Sequence, residues 1–282
     1  MICAWRELVS ILPMGLRSAV DKQEHAVLQE LRLRVGKPVQ MIRAKGEITL
    51  SEPMTDGDLK FVINTASRYS PWATASMARG CLTAPGGHRI GLCGEAVVKD
   101  SELTGFRNVT SVCIRVARDF PGIAGRLMGL KGNILLLGPP GCGKTTLLRD
   151  LVRQISNQNG ESVAVVDERG ELFPIVSQMS CFEPGVHTDI LTGYSKAEGV
   201  EMAIRTMGPT CVAVDEVTSD RDSEALMQAG WCCVRVLATA HGGSREDLLT
   251  RPIYQKLVKS GLFDWLVVMG KDKSYRTERM EG

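Results

Sequence analysis

Gly138-Pro139-Pro140-Gly141-Cys142-Gly143-Lys144-Thr145 fits the pattern G-x-x-x-x-G-K-[ST] at every fixed position. The apolar run Asn133–Leu137 precedes it and has strand character. Thr146 to Val152 follows, apolar at helical spacing. The stretch therefore joins a strand to a helix. Gly138, Gly141 and Gly143 let the backbone turn tightly and approach an anion closely. The loop from Gly138 to Thr146 then presents amides to phosphate, and the helix start adds partial positive charge. Lys144 is expected to reach the β- and γ-phosphates of a nucleoside triphosphate, and Thr145 to ligate Mg²⁺.

A second signal is Cys211-Val212-Ala213-Val214-Asp215-Glu216, an apolar strand ending in two carboxylates. Beside a phosphate-binding loop, Asp215 is expected to hold Mg²⁺. Glu216 is expected to orient or deprotonate the attacking water. Val163-Ala164-Val165-Val166-Asp167-Glu168-Arg169-Gly170-Glu171 ends another strand in charges. Parallel strands collect their C-terminal tips at one rim, so these acids are expected to face the same crevice as Asp215. Leu237-Ala238-Thr239-Ala240-His241 ends a fourth strand in Thr and His, where His241 is a candidate sensor of the γ-phosphate or positioner of water. Arg89, Arg107, Arg115 and Arg205 are candidates for an arginine finger, with no sequence feature choosing among them.

The 282 residues fit two domains. Before residue 118 the chain reads as hairpins and helices. Helical spacing runs from Trp5 to Leu12 and weakly over Val20–Leu28. Leu31–Val35 alternates as a half-buried strand, Val39–Ile42 is a second strand, and a turn at Lys45-Gly46-Glu47 leads to a third. Thr55 to Asp58 is a helix start. Gly80–Thr83, Arg89–Val98 and Asn108–Val116 are strands, and Gly91 and Gly94 mark bulges or close backbone approach. Residues 1–118 are thus expected to form a small α+β domain. From Leu130 strands and helices alternate, implying βαβ units and a mainly parallel sheet over 119–282. The expected strands are Asn133–Leu137, Ser162–Asp167, Thr210–Val214, Val234–Ala238 and Trp265–Met269. The expected helices are Lys144–Asn157, Lys196–Met207, Asp222–Ala229 and Ser244–Ser260, with a polar end over Lys271–Gly282.

Composition narrows the partners. A net charge of +2 and 5% aromatic residues give no strong nucleic-acid signature. No apolar run reaches the roughly 18–20 residues of a membrane span, and no signal-peptide pattern opens the chain. The nine cysteines form no C-x-x-C pair and are expected to be reduced in a cytoplasmic protein. His25, His88, His187 and His241 lack zinc-ligand spacing.

Taken in order, the glycine-rich loop, Val165–Glu171, Val214-Asp215-Glu216 and Ala238–His241 resemble the Walker A, Asp box, Walker B and His box of the AAA+-type secretion and pilus-retraction ATPases. Pro-Gly-Gly-His-Arg-Ile-Gly-Leu-Cys-Gly-Glu at 85–95, Gly-Phe-Arg-Asn-Val-Thr-Ser at 105–111 and Lys-Ala-Glu-Gly at 196–199 resemble their sporulation branch, the stage III sporulation protein AA family. The resemblance implies a P-loop NTPase core of RecA/AAA+ type after a small N-terminal domain. It implies ATP and Mg²⁺ as ligands and a homo-oligomer, a hexameric ring with ATP between subunits. It also implies a cytoplasmic protein peripheral to a membrane-embedded sporulation channel or secretion-like complex, on the mother-cell side of the forespore membrane. Walker B departs from the secretion pattern, in which Gly-Glu is usual; here it reads Asp215-Glu216-Val217-Thr218, which leaves Glu168 and Glu171 beside Glu216 as candidates for the acid that activates water. Two other classes remain open from residues alone: a nucleic-acid-associated ATPase, and a nucleotide-dependent scaffold without turnover.

Overall fold

The computed structural model describes residues 1–24, 26–68, 80–99 and 101–280. His25 and residues 281–282 of the polar end lie outside them. Contacts divide the chain into two compact units: Met1–Asp119 with Ile175–Phe182, and Phe120–Pro174 with Glu183–Gly282.

The first unit carries an antiparallel sheet. Its strands are β1 (Leu28–Arg34), β2 (Pro38–Arg43), β3 (Glu47–Pro53), β4 (Cys81–Thr83), β5 (Arg89–Lys99) and β6 (Glu102–Arg115), in the order β3-β2-β1-β6-β5-β4. The helices are α1 (Trp5–Ser10), α2 (Met14–Asp21) and α3 (Asp56–Ala66). Alternation in β1 sends Leu31 and Leu33 into the core and leaves Arg32 exposed. A capping box between Thr55 and Asp58 starts α3, because the Thr hydroxyl and Asp carboxylate satisfy amides that the first turn leaves open. The bulge expected in β5 lies at Gly94, where the register with β6 shifts. A Cβ there would meet the Val109 backbone at 2.8 Å, so only glycine permits the approach. Of the helical pattern over Val20–Leu28, Val20 and Asp21 are helical as the end of α2. After Asp21 the chain closes in a turn from Gln23 N–H to Val20 O and enters β1 at Leu28.

In the second unit β7 (Ile134–Gly138), β8 (Val163–Asp167), β11 (Thr188–Thr192), β12 (Cys211–Val214), β13 (Arg235–His241), β14 (Trp265–Met269) and β15 (Tyr275–Arg279) form one sheet, in the order β11-β8-β12-β13-β7-β14-β15. Six strands are parallel, and β15 returns antiparallel to β14. The helices are α4 (Lys144–Gln154), α5 (Lys196–Thr206), α6 (Asp220–Trp231), α7 (Arg245–Thr250) and α8 (Pro252–Lys259). Every residue of β7, β8 and β12 is buried, which is why these strands read as unbroken apolar runs. Leu147, Leu148, Leu151 and Val152 of α4 are buried as well, each contributing about 2 kcal/mol through area removed from water.

Three local readings change. The single helix expected over Ser244–Ser260 is two, because Arg251 stands extended before Pro252. The helix from Lys144 ends at Gln154 and passes into a π-turn over Ile155–Asn159. The segment after β8 forms a short hairpin, β9 (Ile175–Val176) with β10 (Met179–Ser180), which belongs to the first unit. Among the described residues no helix is long and apolar enough to cross a membrane.

Candidate active site

The loop from β7 to α4 is shaped by its glycines. Gly141 and Gly143 have φ of 76° and 103°. A Cβ on Gly138 would meet Cys142 Sγ at 2.5 Å, so the loop folds back on its own start. No side chain caps α4, whose N-cap is Gly143. Its first amides are therefore free to serve an anion. Lys144 is buried, and its Nζ donates to Gly138 O (2.8 Å) and Pro139 O (3.0 Å). Its third neighbour is His241 Nδ1 at 3.1 Å. Burial holds the ammonium below the usual lysine range, while Cys142, Asp215 and Glu216 act in the other direction.

Strand register brings the other groups to this loop. His241 pairs with Gly138 across β13 and β7, and Val214 pairs with Ala238 across β12 and β13. Thr145 Oγ1 donates to Asp215 Oδ2 at 2.7 Å, and Thr239 Oγ1 donates to Asp215 Oδ1 at 2.7 Å. The same Thr239 hydroxyl accepts from Glu216 N–H at 2.8 Å. That bond helps hold Glu216 at φ 56°, a left-handed backbone that a non-glycine residue keeps only where its surroundings fix it. His241 Nε2 lies 2.8 Å from Glu216 Oε1. With a lysine donor on Nδ1, the imidazole proton belongs on Nε2 and is donated to Glu216. Arg169 Nη1 stands 3.5 Å from Glu216 Oε2, and Arg251 Nη1 donates to His241 O at 3.1 Å.

The adjacent Thr145 hydroxyl and Asp215 carboxylate are hard oxygen donors, a set that suits Mg²⁺, which takes few protein ligands and keeps waters and phosphate oxygens. Beside the loop a cavity of about 280 Å³ opens between Phe120, Ile123, Thr146, Met269, Lys273 and Tyr275. Its mixed walls suit a base and sugar.

At the β8 tip the acids take different parts. Asp167 is buried and accepts from Glu171 N–H and Phe173 N–H, both at 2.8 Å. Burial pushes its carboxyl up and these amides oppose the shift, so Asp167 shapes the turn. Arg149 of α4 secures the same turn by donating to Leu172 O and Glu171 O. Glu168 Oε2 accepts from Lys196 Nζ at 2.5 Å. Glu168, Glu171, Lys196, Asp215 and Glu216 line a small cavity of about 20 Å³.

The four candidate finger arginines have partners or places of their own. Arg205 pairs with Glu201 on exposed α5, while Arg107 pairs with Glu95 and Arg115 with Glu30 in the first unit, which also holds Arg89. Among the described residues, Arg169 and Arg251 bring guanidinium groups to Glu216 and to the His241 carbonyl. Arg169 sits inside the Asp-box stretch, a position that could have singled it out. Arg251 carries no signal beyond the proline that follows it.

Across residues 5–279 the chain matches the family model described as sporulation stage III, protein AA. The chain belongs to the stage III sporulation protein AA family. A family member, stage III sporulation protein AA of Bacillus subtilis (strain 168), is 34% identical over 280 residues, which cover 95% of this chain and 91% of that protein. Among solved structures, the pilus retraction motor PilT with bound ADP aligns with a TM-score of 0.64 at 13% identity, over 94% of this chain and 83% of that one. The ATPase DotB of Legionella pneumophila aligns at 0.58 and 16% identity, over 95% and 80%. At these identities the likeness is one of fold: this member of the family has the P-loop fold of secretion ATPases.

Proposed function

We propose that the chain hydrolyses ATP with Mg²⁺ and that turnover powers or gates assembly or export by a membrane-embedded sporulation channel complex. The observation that carries this reading is the chain of contacts from Lys144 through His241 to Glu216, beside the Thr145–Asp215 pair. The loop amides and Lys144 bind the phosphates, and Thr145 and Asp215 hold the metal. Mg²⁺ held there would supply positive charge to offset the negative charge developing on the phosphates. Glu216 takes the proton of the attacking water as the water oxygen bonds to the γ-phosphorus. The bond from that phosphorus to the bridging oxygen breaks, and its electron pair leaves with ADP. His241 keeps the Glu216 carboxylate turned toward Lys144, so phosphate contact at the lysine is felt at the base.

The chain acts as a homo-oligomer, a hexameric ring in this reading, cytoplasmic and peripheral to the forespore membrane. A neighbouring subunit completes the site with an arginine. The fold shared with a retraction motor and a secretion ATPase supports the assignment, as does membership of a sporulation family. The test is phosphate release by the full-length chain over a range of protein concentrations, with and without EDTA. Turnover per subunit that rises with concentration and stops on chelation is expected. Nucleotide binding with no phosphate release at any concentration would contradict hydrolysis.

A further inference from the structure

The Lys-Ala-Glu-Gly stretch at 196–199 has no part in the chemistry above, yet its geometry is tightly specified. Lys196 opens α5 directly after the N-cap Ser195. An ammonium there opposes the helix dipole, and its side chain is only 8% exposed. Two carboxylates meet it: Glu168 Oε2 at 2.5 Å and Asp222 Oδ2 at 3.9 Å. Asp222 is already occupied, accepting from Thr218 N–H (2.9 Å) and Ser219 N–H (3.0 Å) at the start of α6. Gly199 makes the burial possible. A Cβ there would meet Val166 Cγ1 at 2.4 Å and lift α5 away from β8. The lysine therefore ties the loop after β8, which carries Glu168, to Asp222 in the first turn of α6, and Asp222 in turn holds the loop after β12, which carries Glu216.

Between those loops lies the cavity of about 20 Å³ lined by Glu168, Lys196, Asp215 and Glu216. A single water needs about 10–15 Å³ of such space and two to four polar partners. We propose that Lys196 is a positioning residue that holds Glu168 against this one-water cavity, so that Glu168 orients the attacking water and Glu216 receives its proton. The proposal rests on the ATPase reading. A carboxylate held at 2.5 Å by a buried ammonium still accepts a hydrogen bond from water.

The test is steady-state turnover and fluorescent-nucleotide affinity for the full-length wild type, Lys196→Met, Glu168→Gln and the double variant. Glu168 is partly exposed and regains water when the lysine is gone, so Lys196→Met keeps a folded chain, checked by circular dichroism. Each single change is expected to lower kcat about 10- to 100-fold, the cost of misplacing a reacting group. KM and nucleotide affinity should stay within about threefold. The double variant should be no slower than the slower single one. Unchanged kcat in Lys196→Met, or losses that multiply in the double variant, overturns the positioning role while wild-type turnover leaves the ATPase reading standing. A wild type that binds nucleotide without turnover overturns both.

Discussion

Glu216 Oε1 and His241 Nε2 lie 2.8 Å apart although 25 residues separate them in sequence. Parallel register explains the meeting, since β12 and β13 are neighbours and both end at the rim where β7 gives way to the glycine-rich loop. The histidine faces Lys144 on its other edge. Replacing each partner should therefore separate binding from turnover. Glu216→Gln is expected to retain nucleotide affinity and lose about 10²–10³ in kcat, as removal of a general base does. His241→Ala should cost about tenfold through loss of orientation alone. Parallel measurements of nucleotide binding and phosphate release check both, and equal losses in affinity and kcat would remove the assigned roles.

Metal dependence should follow the Thr145–Asp215 pair. Thr145→Ala removes the hydroxyl that donates to Asp215 at 2.7 Å, and Asp215→Asn removes the charge. Both variants are expected to need about tenfold or more additional Mg²⁺ for half-maximal nucleotide affinity, in line with losses on altering metal-site groups. Titration of Mg²⁺ at fixed nucleotide reads the shift. An unchanged midpoint would place the metal elsewhere.

Most of this site was legible because phosphate binding restricts sequence so strongly. A loop that must bend through positive φ at Gly141 and Gly143 has few alternatives to glycine. Buried parallel strands likewise leave apolar runs that end in their functional groups, as at Asp215 and His241. Lys196 was less legible. A lysine opening a helix ordinarily sits in solvent, and only the close approach allowed by Gly199 buries it. Arg251 reaches His241 O from the break before α8, a contact with no periodicity to announce it. The hairpin of β9 and β10 consists of two-residue strands, too short for alternation to mark.

Gly199 also yields a stability prediction. Gly199→Ala places a methyl 2.4 Å from Val166 Cγ1 in a packed core. Overpacking of this kind costs about 1–3 kcal/mol. Denaturant unfolding should show the loss as a lower midpoint. Gly170→Ala meets no atom within 4 Å, and its cost comes from a φ of 64° instead.

The first unit should be sensitive to acid through His88. This residue is fully buried, with Nε2 2.9 Å from Ala4 O and Nδ1 accepting from Ala117 N–H at 3.1 Å. Burial is the main cause holding its pKa below the ordinary 6.5. The bond to Ala4 and the charge of Glu7 oppose the shift, and Arg118 adds to it. The folded state therefore binds fewer protons than the unfolded state between the lowered value and 6.5, so stability rises with pH across that window. The full contribution is present above pH 6.5 and is lost as pH falls through the lowered pKa. Unfolding free energies measured from pH 8 down to pH 5 should decline in the wild type and lose that part of the slope in His88→Gln. An identical slope in both would exclude His88 as the source.

The central claim is that Lys144 and the strand-tip acids form one centre for Mg²⁺-dependent ATP hydrolysis. Its most direct test is ATP turnover by the assembled full-length wild type beside Lys144→Ala, with folding of both confirmed by circular dichroism. The account predicts Mg²⁺-dependent turnover in the wild type and its loss, by about 10²-fold or more, in the folded variant. Equal turnover in the two proteins would contradict it.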